Sequence, residues 1–114
     1  MDIRIITTPI TRAQALEIGK EFYNDMVKGV VDLEQEIIVL GGEYHMDANV
    51  VLLDNGSFQS NLWGFNLHST RSGDEWIEYT SLINIRLKAN NRTTLVQDES
   101  IRRSMKKIIE KLVI

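Results

Sequence analysis

The sequence predicts an α+β domain: one antiparallel sheet of about four to six strands, with an N-terminal and a C-terminal helix packed on one face. Three observations carry that prediction. Apolar residues recur at helical spacing near both ends of the chain, β-branched runs punctuated by glycine fill the middle, and 114 residues suffice for one hydrophobic core but not for two. A composition of 43% hydrophobic and 25% charged residues is that of an ordinary folded domain. A single domain over residues 1–114 is therefore expected.

The elements follow in order. Ile3, Ile5 and Ile6 form a short first strand that stops at Thr8-Pro9. Thr11 and Gln14 have the spacing of a capping box, in which the threonine oxygen accepts an early helical N–H and Gln14 reaches back. Ala15, Ile18, Phe22 and Met26 then trace an apolar stripe, so a helix is expected from about Arg12 to about Met26. Val27 to Leu33 contains a glycine and three valines, which favours a strand over continuation of the helix. Glu36 to Leu40 is a second β-rich run, so a hairpin should turn near Glu34-Gln35.

A further hairpin is expected from Ala48–Leu53, the turn Asp54-Asn55-Gly56-Ser57, and a return over Gln59–Leu67. On the return, Trp63, Phe65 and Leu67 share one face while Gly64, Asn66 and His68 share the other. Trp76 to Leu87 alternates apolar and polar residues and predicts the longest strand. Asp98 is a suitable N-cap for a last helix, with Ile101, Met105, Ile108 and Leu112 on its apolar side. Arg102, Arg103, Lys106, Lys107 and Lys111 lie on its other side.

Bulk properties exclude several classes. No run approaches the roughly 18–20 apolar residues that cross a bilayer, so no membrane partner is expected. The first residues lack a basic segment followed by an apolar run, and the chain has no cysteine. A cytoplasmic location is expected on those grounds, without disulfides or thiolate chemistry. There is no Walker loop, dinucleotide glycine fingerprint, nucleophile elbow or H-E-x-x-H motif, and no cofactor is expected. The net charge of −3 hides an asymmetry: residues 17–54 carry nine acidic and two basic side chains, and residues 86–114 carry eight basic and three acidic. The basic end suits an anion, a nucleic acid or an acidic partner, or pairs with the acidic middle.

A set of strings resembles a known family. Gly41-Gly42-Glu43-Tyr44-His45-Met46-Asp47, Asp54-Asn55-Gly56-Ser57, Leu62-Trp63-Gly64 and Ile83-Asn84-Ile85-Arg86 with Asn91-Arg92 are similar to those of a family of small uncharacterised prokaryotic proteins, a domain of unknown function. The resemblance covers nearly the whole chain and departs from the pattern at Asn49, where glutamate is expected, and Thr93, where serine is expected. It implies a prokaryotic or phage source and a shared site. It implies no activity.

Two groups of residues are candidates for a site. Glu43, His45 and Asp47 alternate, and on a strand they would project from one face. A histidine flanked by carboxylates suits acid–base work, and the same set offers a metal one nitrogen and one or two oxygens, although no metal is expected. Asn84 and Arg86 share a strand face with Asn91 and Arg92 in the following loop. Two guanidiniums and two amides can fork onto a phosphate or carboxylate. Against these stand bland readings: a polar rim beside Gly41-Gly42, and arginine–carboxylate pairs that hold a sheet edge.

Two functions stay open at this level. One is a binding or interaction module that recognises an anion or a protein partner, with a homodimer among its forms. The other is a small metal-independent ribonuclease-like or other phosphate-directed hydrolase, toxin-like in character, with His45 as acid or base and Arg86 and Arg92 on the phosphate. Nucleic acid could be met weakly through Arg86, Arg92 and the basic face of the last helix. Trp63 and Trp76 are expected to be packing residues, since Trp76 sits between Glu75 and Glu78.

Overall fold

The computed structural model describes residues 1–114. Five strands, β1 (Ile3–Ile6), β2 (Met26–Asp32), β3 (Ile37–Gly41), β4 (Leu62–His68) and β5 (Ile77–Glu78), form one sheet in the order β1-β3-β2-β4-β5. Every pairing is antiparallel. Three helices accompany it: α1 (Arg12–Gly19), α2 (His45–Asp54) and α3 (Glu99–Leu112).

Side-chain alternation divides the sheet into two apolar faces. Val27, Val31, Ile38, Leu40, Trp63, Phe65 and Leu67 join Ala15 and Ile18 of α1 and Met105, Ile108, Ile109 and Leu112 of α3 in the larger cluster. Val30, Val39 and Leu62 join Ala48 and Leu52 of α2 in the smaller one. Gly29 lies within the larger face because the chain leaves no room for a side chain: a Cβ there would sit 2.4 Å from the Phe65 ring.

Several local expectations hold. Thr11 Oγ1 accepts from Gln14 N and Gln14 Oε1 accepts from Thr11 N, closing the capping box. Residues 33–36 make the β2–β3 turn. Asp32, almost fully buried, organises that turn by accepting from Glu34 N, Gln35 N, Gln35 Nε2 and Ser57 Oγ. Burial alone would raise its carboxyl, but these hydrogen bonds together outweigh that effect and hold it below the usual carboxylate value. Asp98 caps α3 by accepting from Ser100 N.

Three expectations are corrected. The first helix stops at Gly19, not Met26, because the chain turns back there: Phe22 N and Tyr23 N both donate to Gly19 O, and a Cβ on Gly19 would meet Met26 O at 2.3 Å. Phe22, expected on the apolar stripe, is exposed.

Ala48–Leu53 is not the first arm of a hairpin but the body of α2. Its apolar residues run round the helix, with Ala48 and Leu52 buried while Met46, Val50 and Leu53 stay exposed, so its pattern does not declare a helical period. Asn55 and Gly56 are instead its C-terminal stop, with Gly56 at φ +90°.

The long strand expected over Trp76–Leu87 is reduced to Ile77–Glu78. Beyond it the chain folds into two 3-10 turns, Leu82–Asn84 and Leu87–Ala89. A side chain takes the place of the missing strand: Asn84 Oδ1 accepts from Gly64 N at 2.8 Å and Asn84 Nδ2 donates to Gly64 O at 3.1 Å, as a paired peptide would. Gly64 is required there, since a Cβ would lie 2.5 Å from Ser81 Cβ.

Candidate functional site

The structure separates the two candidate groups and gives most of their members internal partners. Glu43, His45 and Asp47 do not share a strand face. Glu43 is exposed in the turn after β3, His45 opens α2, and Asp47 sits in its first turn. Asp47 Oδ2 accepts from Glu43 N at 3.1 Å and Tyr44 N at 3.0 Å, satisfying backbone donors at the entry to α2. Gly41 and Gly42, at φ +115° and +94°, make this entry possible. Nowhere do three or more His, Asp or Glu side chains gather closely enough to hold a metal ion.

His45 is the member that faces a cavity. It is 7% exposed, and its Nε2–H donates to Phe65 O at 2.8 Å. That bond fixes the tautomer, since a carbonyl can only accept, and leaves Nδ1 as an acceptor. Burial, reinforced by the positive charge of Lys28, pulls the imidazole down to about 4, against the opposing pull of the Phe65 carbonyl and the Asn66 amide. The ring is therefore neutral near pH 7.

Asn84, Arg86 and Asn91 build the 80–97 segment. Asn84 is fully buried; besides Gly64 it donates to Thr94 O. Asn91 Nδ2 lies within 2.7–3.0 Å of the carbonyls of Asn84, Thr93 and Leu95, and its Oδ1 accepts from Gln97 N. Arg86 donates to the carbonyls of Ile83, Gln59 and Leu62, and its guanidinium stacks 4.0 Å above the Trp63 ring. No carboxylate pairs with it, and burial lowers its pKa. These contacts use three of the five guanidinium N–H donors. Arg92 is exposed, with its backbone N–H on Gln97 Oε1. Neither arginine lines the cavity that His45 lines.

That cavity, of about 550 Å³, lies between the start of α2 and the 80–83 segment. Its polar lining includes Lys28, His45, Asn66, Thr80 and Ser81; Tyr44, Met46, Leu82 and Ile83 supply the apolar part. Lys28 and Asn66 are direct cross-strand partners of β2 and β4, on the same face as Val30 and Gly64. Lys28 is partly buried, forms no salt bridge, and has its pKa lowered by that burial against the opposing effect of the Glu78 carboxylate; its ammonium lies 5.4 Å from the centre of the Tyr23 ring.

Asn66 is 6% exposed. Its Nδ2 donates to Glu78 Oε1 at 2.9 Å and Thr80 O at 3.3 Å, which fixes the orientation of the amide. Its Oδ1 is buried near the His45 ring, whose pKa it helps to raise, but makes no hydrogen bond of normal geometry. Glu78 in turn accepts from His68 Nε2.

Sequence reasoning missed Lys28, Asn66 and the 80–83 segment. A lysine and an asparagine in the middle of apolar strands were the available signal, because polar side chains on an otherwise apolar strand need a reason to be there. The cross-strand register that joins them was not readable.

No curated protein and no solved structure matches the chain. A family model described as "Protein of unknown function (DUF5674)" matches residues 4–112. With nearly its whole length matched, the chain belongs to this family of proteins of unknown function.

Proposed function

We propose that this protein is a small binding module whose ligand occupies the cavity over β2 and β4, between the start of α2 and residues 80–83. The observation that carries the reading is a pair of polar groups in one cavity: the partly buried Lys28 ammonium, which forms no salt bridge and feels only the more distant Glu78 carboxylate, and the buried Asn66 Oδ1 without a donor. An unsatisfied buried acceptor costs about 1–3 kcal/mol, and a partly desolvated amine adds to it. A buried polar group left without a partner calls for an explanation, and a bound ligand supplies one. The cavity volume of about 550 Å³ suits a small organic molecule. In this reading α1 and α3 cover one face of the sheet, which leaves the opposite face to α2 and the ligand.

Anion recognition thereby moves from the arginines to Lys28, and His45 becomes a neutral wall of the site. A phosphate-directed hydrolase is the weaker reading. Its base would be an imidazole held near 4 with Nε2 already bonded; Arg86 serves carbonyl groups elsewhere, and Arg92 does not line the cavity. The test is a library of neutral and charged fragments titrated into the 15N-labelled protein. Saturable shifts at Lys28, His45, Asn66 and residues 80–83 are expected, and a library that moves none of them overturns the reading.

A further inference from the structure

The chemistry of the lining narrows the ligand class, an inference that rests on the binding reading above. Three features constrain it. First, Lys28 supplies the only cationic group in the lining, and it has no carboxylate partner. It asks for an anion. Second, the one buried polar atom without a hydrogen-bond partner, Asn66 Oδ1, is an acceptor. His45 commits its Nε2–H to Phe65 O and leaves no donor for it. The partner it lacks is an N–H or O–H donor. Third, Lys28 and Asn66 stand directly opposite on paired antiparallel strands, so their Cβ atoms are about 5 Å apart. The anion and the donor must therefore be near neighbours in the ligand. Met46, Leu82 and Ile83 supply apolar surface beside them.

We propose that the cavity takes an N-acylated α-amino acid with an apolar side chain, its carboxylate on Lys28, its amide N–H on Asn66 Oδ1, and its side chain against Met46 and Leu82. In such a molecule one carbon separates the carboxylate from the N–H, so one ligand brings both groups to neighbouring side chains. A phosphate ester brings the anion but no adjacent donor. A free amine would place a second cation beside Lys28. The same chemistry occurs in a free acyl amino acid and at the carboxyl end of a peptide.

The experiment is calorimetric titration, with 15N shift mapping, of the whole protein with N-acetyl-L-leucine and three relatives. The relatives are its methyl ester, which lacks the anion; its N-methyl derivative, which lacks the N–H; and acetyl-Ala-Ala-Leu, which carries the same end on a peptide. N-acetyl-leucine is expected to bind saturably with shifts at Lys28, His45, Asn66 and residues 80–83. The ester and the N-methyl derivative should each bind at least tenfold more weakly. Lys28→Met should lose at least tenfold in affinity while keeping a cooperative thermal transition. Binding of the tripeptide at least tenfold tighter than that of the free acid assigns the source to a peptide end, and tighter or equal binding of the free acid assigns it to a small molecule.

Equal binding of the acid, ester and N-methyl derivative, or full retention by Lys28→Met, overturns the ligand class while leaving the cavity a binding site. Neutral apolar fragments that shift the cavity residues when N-acetyl-leucine does not would overturn it in the same way. If neither acid nor neutral fragments move those residues, the binding reading falls with it.

Discussion

Acidification is the perturbation that reaches the heart of the site without any mutation. His45 is neutral in the folded protein with a pKa of about 4, against an ordinary value of 6.5. Between those two values the unfolded chain binds a proton that the folded chain refuses, so stability rises with pH through this window and is lost as pH falls through it. Applied to these two values, the linkage relation gives a loss of about 2 kcal/mol by pH 5 and about 3 kcal/mol near pH 4. The Nε2–H bond to Phe65 O survives protonation, so the penalty arises from a charged ring in a buried position beside Lys28.

Urea unfolding from pH 4.5 to 7.5, compared between the protein and His45→Gln, isolates this effect. The variant keeps a donor for Phe65 O but has nothing to titrate, so the stability difference between the two should change by about 2–3 kcal/mol across the range. With only two histidines, His45 and His68, the imidazole proton resonances can also be followed individually. A His45 pKa at or above 6, or a stability difference independent of pH, refutes the account of its surroundings.

Three further outcomes follow from the contacts. Lys28→Met removes a partly buried amine that forms no salt bridge and whose burial outweighs its attraction to Glu78, so it should stabilise the free protein by about 0.5–2 kcal/mol in urea melts. It should also raise the His45 pKa measurably, since the Lys28 charge helps to lower it. Asn84→Ala strips Gly64 N, Gly64 O and Thr94 O of their partner inside the protein, and a loss of about 3–5 kcal/mol is expected by chemical denaturation. Arg86→Ala should cost about 2–4 kcal/mol through three carbonyl bonds and the Trp63 stack, and should leave affinity at the Lys28 cavity within twofold by calorimetry.

The residues explain which parts of the molecule were legible in advance. Local signals spoke directly where one interaction dominates: the Thr11–Gln14 capping box, the Asp98 cap, the turn after Asp32, and the alternation of Trp63, Phe65 and Leu67 all appear in the structure. Signals failed where a distant partner decides. Ala48–Leu53 is apolar on several sides, so strand and helix readings fit it equally until the sheet face that receives Ala48 and Leu52 is known. Residues 76–87 alternate like a strand, yet the amide of Asn84 occupies the Gly64 backbone and bends the chain away. The candidate site shows the same division. Gly41 to Asp47 and residues 84–92 drew notice through their chemistry, but most of that chemistry closes on the protein's own backbone. Lys28 and Asn66 drew none, because their meaning lies in a register between strands 38 residues apart in sequence.

The central claim is that the Lys28–Asn66 cavity is a ligand site, and pocket filling tests it most directly. Leu82 is 78% exposed and lines the cavity, so Leu82→Trp can occupy the space without disturbing the core. Fragment titrations followed by 15N shift mapping should show saturable changes at Lys28, His45, Asn66 and residues 80–83 in the parent protein. In Leu82→Trp these changes should be lost while the melting transition is unchanged. Equal binding by the filled variant, or shifts that settle elsewhere on the surface, would contradict the claim.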